Sequence, residues 1–279
     1  KDNDLIDTDA EEFTYKWGTA AVPAISRNPT YQEYYSVNAG QAGGNIGNKF
    51  MQQMYRGLGV QDPRWRYYFY RQIGSRAQAL RVDANSIGCG VIPSNYVAAG
   101  EPFCFVEPGF MGRDHGNNLG TNPDGAVLTC VGAYPYGGKI DTNDGDPNYF
   151  GPAKLGDGGN GKGIENIYMS WFTDFMKAEM VLSGIISGDA KALMISGVNK
   201  SINRTRNFAN SLGLTLPAGL EPSTVTYIAT LGGKYDISTD QKDLVLNEYW
   251  KSLWGNGLEA YNLYRRTGSP KNLQIALTA

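Results

Sequence analysis

The chain has 279 residues, 41% of them hydrophobic and 19% charged, which is the balance of a globular protein long enough to bury a substantial core and not that of a disordered one. A net charge of −2 provides neither the basic face that nucleic acid requires nor a polybasic segment for an anionic membrane surface. The 36 Gly and 13 Pro mark a loop-rich protein, and many of the 18 Tyr, 10 Phe and 5 Trp fall in those loops, where a ring either plugs the core or offers its face to a flat ligand.

The opening Lys1-Asp2-Asn3-Asp4 is polar and acidic and is not a signal peptide. No window of about 18 uninterrupted apolar residues predicts a transmembrane helix. Residues 1–60 are mixed, with one helix expected over 48–58 and stopped by Asp62-Pro63-Arg64. Residues 65–160 are dominated by Gly, Pro, Asn and aromatics, with short strand-like runs such as 126–131. That is too long for one structureless loop in a compact domain, so an irregular, partly β region held by tertiary contacts is expected. From 163 onward the pattern is helical. Ile164, Tyr168, Trp171, Phe175, Ala178 and Leu182 are three or four residues apart and predict one helical face, ended by Gly184 and Gly188. Asp189 is placed to cap a second helix running to about Asn210, with Ile195, Val198 and Ile202 on one side. Together the two form an αα-hairpin. Ser238-Thr239-Asp240-Gln241 has capping-box spacing and opens a third helical block carrying Val245, Tyr249, Trp250 and Leu253. Gly255-Asn256-Gly257 interrupts this block, and a last segment carries Leu258, Tyr261 and Tyr264 to Gly268. The chain thus divides into a loop-rich part, 1–160, and a helical part, 161–279.

Several motifs suggest chemistry and fail on spacing. The run from Gly156 to Gly163 resembles a phosphate loop, but Gly163 stands where the magnesium-binding hydroxyl belongs; a flexible connector into a helix is expected instead. Asp141, Asp144 and Asp146 surround a Gly as in a calcium loop, but the EF-hand register is absent, and a solvated acidic turn is expected. His115 is the single histidine, which excludes any site needing two; a structural role bonded to nearby backbone is expected. Cys89, Cys104 and Cys130 allow at most one internal disulfide and fit no zinc template, so burial as small hydrophobes is the expectation. Asn199-Lys200-Ser201 and Asn203-Arg204-Thr205 match the glycosylation pattern within a predicted helix and carry no weight.

More specific is the segment Glu248-Tyr-Trp-Lys-Ser-Leu-Trp254-Gly-Asn-Gly-Leu-Glu259-Ala-Tyr-Asn-Leu-Tyr-Arg265-Arg266-Thr-Gly-Ser-Pro270. It resembles the C-terminal signature of the SusD/RagB-like lipoproteins, in which a helix ending in Trp is followed by a Gly-containing turn, a Glu-Ala-aromatic helix and Arg-Arg-Thr-Gly-x-Pro. Asn28-Pro-Thr-Tyr31, Asp62-Pro-Arg64, Gly112-Arg-Asp-His-Gly116, Tyr134-Pro-Tyr-Gly-Gly138 with Asp141, and Lys177-Ala-Glu179 resemble the same family in the same order. The family is longer than this chain, beginning with a lipidated cysteine and N-terminal TPR-like helices, so the sequence reads as a C-terminal portion from which those helices and the lipobox are absent.

The resemblance implies a mainly α fold of TPR-like helical hairpins, a SusD-like α–α superhelix, with long irregular loops and a little β. It implies a lipoprotein on the outer face of a bacterial outer membrane, joined to the membrane through an N-terminal lipid anchor that lies outside this chain. Such a protein caps a TonB-dependent, SusC-like transporter barrel and delivers glycan nutrients to it without catalysis and without a cofactor. A peptide or other non-glycan ligand is the first alternative, and a glycoside hydrolase built on a carboxylate pair is the second. Aromatic faces meet the C–H faces of sugars, while Asn, Asp or Arg satisfy the hydroxyls. The loop aromatics Tyr67, Tyr96, Phe110, Tyr134 and Tyr136 are therefore the candidate ligand-binding residues. Trp171, Trp250 and Trp254 lie on helical faces and are assigned to packing. Glu179, Arg265 and Arg266 sit at motif positions in helices expected to be buried, and a structural role is expected, satisfied by an ion pair or by hydrogen bonds to helix ends.

Overall fold

The computed structural model describes residues 5–20, 25–36, 45–82, 92–113 and 127–274. The loop-rich part holds short elements: strand β1 (Phe13–Lys16), helices α1 (Pro29–Tyr35), α2 (Asn48–Arg56) and α3 (Trp65–Tyr68), strand β2 (Phe69–Tyr70), helices α4 (Arg76–Val82) and α5 (Ser94–Ala99), and strands β3 (Phe105–Val106), β4 (Phe110–Met111) and β5 (Cys130–Val131). Strand β6 (Ile164–Tyr168) leads into five longer helices, α6 (Ser170–Leu182), α7 (Ala190–Ser211), α8 (Thr224–Ile237), α9 (Gln241–Ser252) and α10 (Gly257–Thr267). The strands form three separate antiparallel pairs, β1–β6, β2–β5 and β3–β4. The architecture is mainly α with a little β, as the resemblance implies. No described helix is long and apolar enough to cross a membrane.

Strand β6 corrects the reading of 164–168 as helix. Ile164 and Asn166 are buried while Glu165 and Ile167 are exposed, the period of a strand. The segment pairs with β1, Tyr15 lying opposite Glu165. The helix begins only at Ser170, whose backbone N–H and hydroxyl both donate to Glu12 Oε1, at 3.3 and 3.1 Å. A carboxylate at a helix N-terminus meets unsatisfied N–H groups there. Burial pushes the Glu12 carboxyl up, and the hydrogen bond from Arg204 works against that rise.

Helices α6 and α7 form the expected hairpin. Gly184 takes φ of 70° just beyond α6, and the Asp189 carboxylate accepts from Ala192 N at 3.0 Å to cap α7. A Cβ on Gly197 would lie 2.9 Å from the Phe175 ring, so only glycine lets the helices approach this closely. The third block is capped by Asp240, which accepts from Asp243 N at 3.0 Å, and not by Ser238, whose hydroxyl instead accepts from Asp240 N at 3.1 Å. Helix α8 has no counterpart among the elements expected from the sequence. It is capped by Ser223 and buries Tyr227, Leu231 and Tyr235 four residues apart, but Thr, Val and a Gly pair dilute its pattern.

One apolar cluster runs from Tyr31 to Leu263, with a satellite around Ile73, Phe105 and Met111. Two ionic networks tie the loop-rich part together and to the helices. Asp141 is fully buried and paired with Arg71, at 2.6 and 2.8 Å, and with Arg66, at 3.2 Å. Its carboxylate is therefore occupied by guanidinium groups, and the expected solvated turn is wrong at this residue. The second network joins Asp62, Arg64, Tyr227, Glu248 and Lys251, all essentially inaccessible. Arg64 grips Asp62 through two hydrogen bonds of 2.9 and 2.7 Å and reaches Glu248 at 3.4 Å. Glu248 also takes hydrogen bonds from Lys251 at 2.5 Å and Tyr227 at 2.8 Å. Two acids and two bases balance, as buried charges must.

The Gly156–Gly163 run is likewise not a loose connector into a helix. Tyr31 Oη donates to Asp157 O at 2.9 Å and accepts from Gly156 N at 3.1 Å, and the run feeds strand β6. Cys104 is disulfide-bonded and Cys130 is a buried free thiol. Cys89 and His115 lie outside the described residues.

Candidate ligand-binding groove

A groove of about 360 Å³ opens where the loop-rich part meets the helices, within the range of roughly 300–1,000 Å³ typical of small-molecule sites. Helix α1 contributes Thr30 and Tyr34, α2 contributes Phe50, β5 contributes Val131, the following turn contributes Tyr136, and the end of α9 with the next turn contributes Trp250, Leu253 and Trp254. Gly47, Phe50 and Trp250 also border a second lobe of about 240 Å³, which holds Lys49, Leu273 and Gln274.

The aromatic wall is fixed from behind. Trp254 Nε1 donates to Tyr134 O at 3.1 Å, and its ring stacks on Phe50 at 5.1 Å and on Tyr68 at 5.8 Å. Tyr136 meets Trp254 edge-on at 5.7 Å, and Trp250 meets Phe50 edge-on at 4.8 Å. These are the offset and perpendicular geometries that ring quadrupoles favour. The turn after Trp254 is clamped to β6: Asn166 donates to Trp254 O at 3.1 Å, and Asn256 donates to Asn166 O at 2.8 Å. Gly255, at φ of 92°, sits where a Cβ would collide with the Pro135 ring, so the turn requires glycine. Asn256 Oδ1 also caps α10, accepting from Glu259 N at 3.0 Å.

Of the sequence candidates, Tyr136 lies on the groove wall, half-buried. Burial pushes its phenol up, so the hydroxyl stays neutral. The other four are buried. Tyr134 is wedged between Tyr68 and Phe208 behind the wall, with centroids at 5.8 and 5.6 Å. Tyr67 donates to Glu221 at 3.0 Å. Tyr96 packs edge-on against Phe103 at 4.9 Å. Phe110 lies against Tyr55 and Trp65 beneath the Arg71 guanidinium. Sequence reasoning misses Thr30, Tyr34 and Phe50. It assigns Trp250 and Trp254 to packing, whereas both pack and also line the groove, Trp250 from the last turn of α9 and Trp254 from the turn that follows; their spacing of four is the available signal.

Glu179 is buried and forms a two-pronged ion pair with Arg266, one hydrogen bond being 2.7 Å. Arg266 itself is half exposed. Arg265 is exposed and rests 5.6 Å over the Tyr261 ring, which corrects the expectation that both arginines are buried. On α10 Leu263 is buried while Leu258 and Tyr261 are 81% and 60% exposed. Among the described residues no cluster of three or more His, Cys, Asp or Glu is placed to hold a metal.

Comparison with known proteins finds the same architecture. No family model and no curated relative matches the sequence. A SusD homologue from Bacteroides fragilis matches with a TM-score of 0.51 and 15% identity, over 98% of this chain and 48% of its own. A SusD-like protein from Bacteroidetes AC2a matches with a TM-score of 0.56 and 12% identity, over 97% of this chain and 53% of its own. A protein from Bacteroides vulgatus, inferred to be an outer membrane protein involved in nutrient binding, matches with a TM-score of 0.51 and 14% identity, over 99% of this chain and 50% of its own. These likenesses establish the fold, which is SusD-like. The chain spans about half the length of the solved structures it matches.

Proposed function

We propose that the protein is a non-catalytic, glycan-binding member of the SusD/RagB-like lipoproteins, with the Phe50–Tyr136–Trp250–Trp254 groove as a contact surface for sugar rings. The observation that carries this reading is the wall itself: several aromatic side chains held by ring contacts and hydrogen bonds, with the hydroxyl-bearing Thr30 and Tyr136 in the same lining. A sugar has an apolar face and a polar rim, and this lining meets both. In this reading the 279 residues are the C-terminal portion of a longer, lipid-anchored outer-membrane protein. That protein hands its ligand to a TonB-dependent transporter, and proximity to the barrel compensates for weak binding at each contact. The half-length coverage of the matched structures supports that picture, as do the exposed apolar residues Phe13, Tyr15, Leu258 and Tyr261, which further chain or a partner would cover.

The test is a calorimetric screen against neutral oligosaccharides, with product analysis by chromatography after each titration. Saturable binding without product, weakened by Tyr136→Ala in a protein of unchanged circular dichroism, supports the proposal. Release of shorter sugars that tracks the protein would replace it with an enzyme.

A further inference from the structure

We infer that the groove selects uncharged glycans, and that the Lys49–Glu101 ion pair enforces this at its far end. The inference rests on the glycan reading above and narrows it.

The main lobe is lined by aromatic, aliphatic, hydroxyl and amide groups, and none of its described lining side chains is charged. An acidic sugar seated there would press its carboxylate or sulfate against rings, with no cation in that lining to replace its lost water. An ionised group buried without a partner is strongly disfavoured. A neutral sugar loses much less, because its hydroxyls exchange water for groups such as the Thr30 and Tyr136 hydroxyls.

Among the described residues the second lobe carries one cation, Lys49, close to the shared Phe50 and Trp250 wall. Its ammonium group is held by both carboxylate oxygens of Glu101, each at 2.8 Å, and both side chains are only 19% exposed. The positive charge that would otherwise attract an acidic sugar is therefore already matched. The pair is net neutral, so the lobe offers no unmatched positive charge to compensate an anion's lost water. Glu101 follows directly on the Gly100 turn that ends α5, so it reaches Lys49 from a separate element and is not among the residues lining either lobe.

The experiment titrates maltohexaose, cellohexaose and xylohexaose against oligogalacturonate and chondroitin sulfate oligosaccharides, using the wild-type chain, Glu101→Gln, the Lys49→Met/Glu101→Gln double variant and Tyr136→Ala. The expected result is binding of at least one neutral sugar, with every acidic one weaker by roughly tenfold or more. Glu101→Gln should strengthen acidic binding several-fold and leave neutral binding unchanged, and Lys49→Met should cancel that gain. Acidic sugars bound as tightly as neutral ones, and weakened by Tyr136→Ala, would overturn the selectivity while leaving the glycan site standing. Failure of the folded protein to bind any of these sugars would overturn the glycan reading, and the selectivity with it. Acidic binding unchanged in Glu101→Gln would remove the ion pair from the account.

Discussion

Replacing Arg64 with Met removes one cation from a buried network of two acids and two bases while keeping most of the side-chain volume. Asp62 loses its two-pronged partner, and Glu248 keeps only Lys251, from its own helix, together with Tyr227. The network then carries a net negative charge with no access to water, since Asp62, Arg64 and Glu248 are all fully buried. Breaking a buried pair in this way costs about 3–5 kcal/mol, because one charge is left uncompensated. At roughly 2–4 °C per kcal/mol for domains of comparable size, the melting temperature should fall by about 6–20 °C. Thermal and urea unfolding at neutral pH, followed by circular dichroism, measure this. Lys191→Met provides the contrast: its pair with Asp236 is at 2.7 Å, but the side chains are 32% and 59% exposed, so the loss should stay below about 1 kcal/mol. The double variant Asp62→Asn/Arg64→Met should be less damaging than Arg64→Met alone, since it removes both charges together. An Arg64→Met melting point within about 2 °C of wild type would refute the claim that this network locks the loop-rich part to the helices.

Three further outcomes follow from the same structure. Arg266→Ala should lower stability by about 1 kcal/mol through its half-exposed pair with Glu179, whereas Arg265→Ala should stay within about 0.5 kcal/mol; equal losses measured by urea denaturation would contradict the assignment. Burial alone would raise the Asp62 carboxyl, but the adjacent Arg64 guanidinium outweighs it and holds the group below its ordinary value. The folded state thus binds fewer protons than the unfolded one, so this contribution is complete above the ordinary carboxylate value of about 3.9 and is lost as the pH falls through the depressed folded value. Asp62→Asn should flatten that acid limb of the stability–pH curve, and an unchanged limb would contradict the assignment. Burial also pushes the Cys130 thiol up, so it should resist an aromatic disulfide reagent in the native protein and react fully on unfolding; rapid native reaction at Cys130 would contradict its placement.

What the sequence reveals depends on whether a signal is local. Helix α7 is legible because its cap, Asp189, and its apolar face lie within one stretch of chain. Strand β6 is not, because Ile164 and Tyr168 happen to share helical spacing with Trp171, while the partner that settles the matter, β1, lies far away near the start of the chain. The Asp141 turn looks solvated in sequence because its partners, Arg66 and Arg71, are remote. The groove follows the same rule. Periodicity places Trp250 and Trp254 at the end of α9, but the opposing wall comes from Tyr34, Phe50 and Tyr136 on three other segments. Loop position alone does not distinguish Tyr136, which reaches the groove, from Tyr134 two residues earlier, which is buried behind it.

The most direct test of the central claim is a crystal structure of the protein soaked with the tightest-binding neutral oligosaccharide from the calorimetric screen. The expected result is a sugar ring seated in the groove against Tyr136 and Trp250, with a hydroxyl within hydrogen-bonding distance of Thr30 or Tyr136. A sugar ordered at another surface, with the groove left unchanged, would contradict it.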